Sequence, residues 1–549
     1  MAVGCFSAGS VWSPRRCLPS ASYKPPLLSE QQPAQAHHLP RLAQIAKKAE
    51  VSPRGSGFLA GYTMAFVLLV RGFKGGILAH SRQDRRLSVR RSQDEAEKAE
   101  GTAATGASVP TRMQLLKFAA PLAAVSVTGP ILSTIDTSFV GRCAGTVELA
   151  ALGPACTVTD LIYLICSTVS TAAINLYAKS AQDEHKLRRF NATCLSVAFF
   201  VGVIAAVVSL TCGEQLLRAL GAMPVMMGVA RKYVVVRALG LPLASMACAM
   251  YGLCVGRGDT QTPLAVQVYL SALLNVCFDW LLCAILPWGA AGAAWATVAA
   301  QATSFCAYFL LMRRKGQLPL PSAEEFLPDF AEMKPVFAIF LPVSFIVVCV
   351  LSMYACMSGF VNNTQPLPMI AAYKIWITVF AFFALCADPM AAATSTKLPP
   401  FILEGSSQKS RLFVRRAITC AAGVGAMGGL LGAAVLNFAP GVFTQDATVM
   451  EGARNGLFHF VAILCFMHPT RVCQNSLVVH GDLVFYVIAQ TCLSLLFFAG
   501  LTLLAGRCVA GSISAYRSML TATLIFYMAS LKTYGFRVRY LNRRVRIKD

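Results

Sequence analysis

About twelve apolar stretches, each roughly 20 to 27 residues long, follow one another between positions 112 and 533, and each could cross a ~30 Å hydrocarbon core as a helix. With 549 residues, 56% hydrophobic and only 13% charged, the chain has too few charges to cover a soluble globule of its size. The sequence therefore predicts an all-α membrane protein, because backbone polar groups in lipid must be satisfied within each helix.

The spans are expected near 112–140, 147–178, 190–212, 232–255, 263–287 and 289–312, then 334–361, 367–395, 412–437, 453–478, 483–505 and 511–533. The two sets of six are weakly alike. Pro121 is echoed by Pro342, 221 residues on, and Gly258-Asp259 by Gly481-Asp482, 223 residues on. Six being even, duplicated units enter the membrane in one orientation, giving two six-helix lobes related by a pseudo-twofold axis along the membrane normal. The division is 109–316 and 334–535 for the lobes, 317–333 for the loop between them, and 536–549 for a basic tail.

Residues 1–108 differ in character: Ser, Ala, Pro and Arg abound, and a basic run at Arg82 to Arg91 precedes an acidic stretch at Asp94 to Glu100. This reads as an organellar targeting leader with a disordered linker. The net charge of +23 does not indicate nucleic acid, since the basic residues sit in short connections and tails. With the N-terminus inside, about 37 of the 48 Lys and Arg fall on that side, and this bias predicts an N-in, C-in topology. The twenty Cys show no zinc-ligand spacing and read as small packing residues, so no metal or cofactor is expected. Asn362-Asn363-Thr364 is a glycosylation sequon placed in an outer loop, and Arg257-Gly258-Asp259 lies on the inner side, where an adhesion motif has no use.

Charged groups inside the spans carry the chemistry, because they are costly in lipid. Asp136 and Asp279 lie at similar depths below the outer ends of the first and fifth spans, with Asn275 one turn from Asp279 and Thr297 at matching depth in the sixth. Two carboxylates sharing a low-dielectric site repel each other, which suits reversible proton carriage; with Asn275 they also suit Na⁺. Asp160 in the second span, Lys374 and Asp388 in the eighth and Arg471 in the tenth are candidates for the substrate pathway. Lys374 and Asp388 are too far apart on one helix to neutralise each other, and His459 and His468 read as core or interface residues. Pro121 and Pro130 both permit the Asp136 helix to bend.

At these residues the chain resembles the multidrug and toxic compound extrusion (MATE) family, in particular its plant chloroplast-envelope branch. The resemblance covers about 112–535 and is carried by Thr128 to Thr137, Glu148-Leu149-Ala150-Ala151-Leu152-Gly153-Pro154 with Asp160, Gly258 to Pro263, and the Gly-Ala-rich start of the sixth span. It implies a V-shaped pair of lobes and cation-coupled antiport of organic solutes. It also implies that Asp136, Asn275, Asp279 and Thr297 form a first-lobe cation site, and that Pro121 bends its helix. Better-known branches carry acids on the seventh and tenth spans; here those spans have none, and Met357 stands where duplication would place a partner of Asp136.

The expectation is thus a non-enzymatic secondary antiporter, acting as a monomer in the plastid envelope or another membrane, that exports a small organic solute against protons. Na⁺ coupling on the same fold and flipping of a lipid-linked precursor are the alternatives.

Overall fold

The computed structural model describes residues 108–180, 184–220, 222–316, 330–444, 446–507 and 511–545, so the leader and linker expected over 1–108 lie, but for the last residue, outside the described part. All regular structure among the described residues is helical. Among the described residues ten helices are long and apolar enough to cross a membrane: Arg112–Cys143, Val147–Tyr177, Lys186–Ala219, Pro224–Arg257, Gln261–Ile285, Gly289–Arg314, Phe330–Thr364, Leu367–Leu403, Ser407–Phe438 and Leu483–Ala505. One further span, the tenth in chain order, is formed by Ala447–Arg454 and Leu457–Val479, bent by 43° where Gly456 takes φ 91°, so that Leu483–Ala505 is the eleventh. A twelfth long helix, Ile513–Arg544, packs on the tenth and eleventh spans.

The first span starts at a capping box: the Thr111 amide donates to Gln114 Oε1 at 2.8 Å and the Gln114 amide to Thr111 Oγ1 at 3.3 Å. It then runs unbroken through Pro121 and Pro130 to Cys143. The fourth span is the hub of the first lobe, packed on the second, third and sixth; the tenth has the same position in the second lobe, against the ninth and twelfth.

The duplication read from the sequence has a structural counterpart. The fourth span ends on Gly258 at φ 92° and the tenth is followed by Gly481 at φ 71°, both left-handed positions that a side chain would strain. The next residue in each lobe is an aspartate tied to a cation of the last helix of that lobe: Lys315 Nζ to Asp259 at 3.0 Å, Arg537 Nε to Asp482 at 2.6 Å. Lys315 and Arg537 are themselves 222 residues apart.

The lobes meet near their basic ends. Thr396 Oγ1 of the eighth span donates to Val255 O of the fourth at 3.1 Å, Lys397 Nζ lies 5.3 Å from the Phe118 ring centroid, and Arg416 donates to Val109 O and Pro110 O at 2.8 and 2.9 Å. Thr168 and Ser344 join the second and seventh spans by a buried hydroxyl pair at 2.7 Å.

Several boundaries shift from the sequence expectation. The seventh helix starts at Phe330 and takes Glu332 out of the 317–333 connection, where it pairs with Arg189 at 3.0 Å. The eighth span is interrupted by a 3₁₀ turn at Leu385–Ala387 and restarts at Asp388–Lys397, since Pro389 has no amide to donate back across the break. The last helix continues to Arg544, so most of the expected tail 536–549 is helical. The sequon Asn362 to Thr364 forms the last turn of the seventh helix rather than a loop.

Candidate functional site

The fifth span carries two of the expected acidic-site residues on one short α-helical stretch, Ala272–Asp279, bracketed by π-helical segments Leu264–Ser271 and Trp280–Ile285. Such wide turns are rare, and they often mark functional positions. The sixth span reaches this region because its start is made of small residues. A Cβ on Gly292 would come within 2.9 Å of Leu282 O, and Ala293 and Ala294 are fully buried in a cluster with Val140 and Cys283. Glu148 holds the same helix end, accepting from the Ala290 amide at 2.6 Å.

This close approach brings three of the four expected residues together. Thr297 Oγ1 donates to Asp136 Oδ2 at 3.4 Å, and the carboxyls of Asp136 and Asp279 face one another within hydrogen-bonding reach once a proton lies between them. Asp279 is fully buried. Neither of its oxygens, nor Oδ1 of Asp136, has a donor among the described residues. Asn275 is also buried, one turn away, with an unpartnered Oδ1. Four acceptor atoms without donors, on three side chains, form a pocket suited to a proton or a small cation.

The second lobe keeps the geometry and loses the acids. Thr523 of the twelfth helix donates to Met357 Sδ of the seventh at 3.6 Å, the counterpart of Thr297 meeting Asp136. Met357 is buried in an apolar cluster that includes Leu501 of the eleventh span. A thioether among aliphatic side chains cannot carry a proton, so any titrating pair in this arrangement is confined to the first lobe.

The pathway candidates fall into two ion pairs. Asp160 contacts Arg237 Nη2 of the fourth span at 3.8 Å, and Asp388 contacts Arg471 Nε of the tenth at 3.8 Å. Each lobe therefore sets an acid of its second helix against an arginine of its fourth. Arg237 was missed from sequence, although a lone arginine within an apolar helix is itself a signal; it is nearly buried and bonds Gln301 Oε1 at 3.4 Å. Lys374 is exposed, and its side chain has no hydrogen bond or ion pair among the described residues. His468 binds Leu464 O in the core at 2.9 Å and His459 binds Thr521 between the tenth and twelfth helices at 2.9 Å, as their structural reading required.

Helices of this length and number, in paired lobes, define a multi-pass integral membrane protein. The MatE family model matches residues 121–281. From Arabidopsis thaliana, Protein DETOXIFICATION 47, chloroplastic, is 26% identical over 416 residues, covering 70% of this chain and 72% of that protein. Protein DETOXIFICATION 44, chloroplastic, is 27% identical over 369 residues, covering 64% and 68%. A structure described as the outward-facing conformation of a multidrug resistance MATE family transporter of the MOP superfamily superposes with a TM-score of 0.70 at 17% identity, over 79% of this chain and 98% of that one. Over residues 121–281 the chain is thus similar to the MATE family, and its fold is that of the superposed transporter. The chloroplastic names of these relatives agree with the plastid-envelope location expected from the sequence.

Proposed function

We propose that this protein is an antiporter that exchanges protons for a small organic solute, with Asp136 and Asp279 as the coupling pair and Thr297 and Asn275 as their neutral partners. The observation that carries this reading is a buried carboxyl facing a half-buried one, with no donor among the described residues for three of their four oxygens. A proton shared between them relieves the repulsion of two charges in low dielectric, and its departure restores it. Proton and substrate then drive transport by preferring different lobe arrangements, each expelling the other through that difference. In the arrangement described here the lobes are joined near their basic ends, so opening that side requires the Thr396–Val255 and Lys397–Phe118 contacts to break.

The same oxygens favour a second reading, Na⁺ in place of the proton, since Asn275 Oδ1 and the carboxylates supply the hard donors such an ion takes. Proteoliposomes separate the two. Solute efflux driven by a pH gradient without Na⁺ supports proton coupling, and efflux only under a Na⁺ gradient supports the alternative. Lipid scrambling without solute movement would contradict both.

A further inference from the structure

The Asp388–Arg471 pair differs in kind from the other ion pairs of its lobe. Asp482 and Arg537 close to 2.6 Å and Glu404 and Lys409 to 2.8 Å, each with a hydrogen bond. Asp388 and Arg471 stand 3.8 Å apart with no hydrogen bond from the guanidinium to any described acceptor and none accepted by the carboxylate. Their side chains keep 51% and 30% of their surface open, although both lie mid-span. Asp388 starts the helix by which its lobe meets the other. The helix that Asp388 starts touches the first, second and fourth spans of one lobe and the tenth of the other, and its next residues, Pro389 to Thr396, are buried. Four tyrosines interact electrostatically with the pair: Tyr354, Tyr486 and Tyr527 with Arg471, and Tyr251 of the first lobe with Asp388. Tyr354 and Tyr527 share a hydroxyl contact at 2.8 Å.

An ion pair left this open has unused donors on one side and unused acceptors on the other, with tyrosines in its neighbourhood. A singly charged ligand would engage one partner and leave a net charge in the cavity, which is costly away from bulk water. A dipolar ligand engages both with no net charge. We infer that Asp388 and Arg471 form a substrate site for zwitterionic aromatic solutes, Arg471 receiving the carboxylate, Asp388 the ammonium, and the tyrosines the ring. The inference rests on the transporter reading and adds the substrate class to it.

The test is equilibrium binding to the full chain in lipid nanodiscs, with no gradient, using three probes that share an indole ring: tryptophan, tryptamine and indole-3-propionate. Tryptophan is expected to bind at least about tenfold tighter than either singly charged analogue. Arg471→Gln should erase its advantage over tryptamine, and Asp388→Asn its advantage over indole-3-propionate. Equal or tighter binding of either analogue by the wild type, or no binding of any probe, overturns the inference. So does an equal loss for all three probes in folded variants. The wild-type comparison needs no variant to fold. Because binding is read without a gradient, failure here leaves proton coupling at Asp136 and Asp279 standing, and failure of coupling leaves this site standing.

Discussion

Asp136 and Asp279 meet across the first and fifth spans, and among the described residues the only donor to either carboxyl from another helix is the Thr297 hydroxyl of the sixth, at 3.4 Å. In the second lobe the corresponding contact is Thr523 on Met357 at 3.6 Å. The two lobes thus share an architecture, an acid–arginine pair included, but only the first has the donor-poor acid pair.

The Asp160–Arg237 pair is unequal, with Arg237 8% exposed and Asp160 63%. Asp160→Asn leaves a nearly buried cation without its counter-charge, whereas Arg237→Gln leaves an accessible carboxylate. The first is expected to lower stability by about 2–3 kcal/mol and the second by about 1 kcal/mol, with the double variant costing less than their sum. Thermal unfolding of the purified variants in one detergent checks the order.

Gly289 has φ 57°, and a Cβ there would overlap Glu148 Oε2, the acceptor of the Ala290 amide. Gly289→Ala is therefore strained by its backbone and displaces the carboxylate that caps the sixth helix. It should cost more than Glu148→Gln, which keeps a neutral acceptor; the latter loss is about 1 kcal/mol. Since this cap sets the height of Thr297, both variants should also slow transport, as measured by initial efflux rate.

Burial opposes ionisation of Asp259, but the Thr262 hydroxyl and amide and the Lys315 ammonium outweigh it and hold the carboxyl below the ordinary carboxylate value of 3.8. The group is charged more readily in the folded state, so its contribution is complete above that value and is lost as pH falls through the lower folded value. The melting-temperature difference between wild type and Asp259→Asn should be constant at higher pH and shrink below pH 3.8. A difference that grows on acidification would contradict the assignment.

The contacts joining the lobes at their basic ends should govern access from that side. Thr396→Val removes the bond to Val255 O and Lys397→Ala the contact with Phe118. Amide exchange across 252–258 and 392–397 is expected to quicken by about threefold or more in each variant, with other segments unchanged.

Much of this was readable along the chain because depth in a membrane converts sequence position into height. Asp136, Asp279 and Thr297 were placed at one level by counting from their helix ends, and the structure joins them. Asn275 was placed with them and lies one turn away, its Oδ1 still unpartnered. What the sequence did not show is lateral: that Asp388 finds Arg471, and Asp160 finds Arg237, depends on which helix faces which. The π-helical segments around Asp279 were equally hidden, since Leu264 to Ser271 and Trp280 to Ile285 have no residue that demands a wide turn. The break at Leu385–Ala387 was signalled by Pro389 and passed over within an apolar run.

Efflux of a solute from proteoliposomes under an imposed pH gradient, compared among wild type, Asp136→Asn and Asp279→Asn, tests the central claim most directly. The account predicts that each substitution cuts gradient-driven efflux by at least about a hundredfold in protein that remains folded, and that the double variant is no worse than the single ones, because the pair acts as a unit. Gradient-driven efflux at the wild-type rate in either variant would contradict it and reduce these carboxyls to a bond between helices.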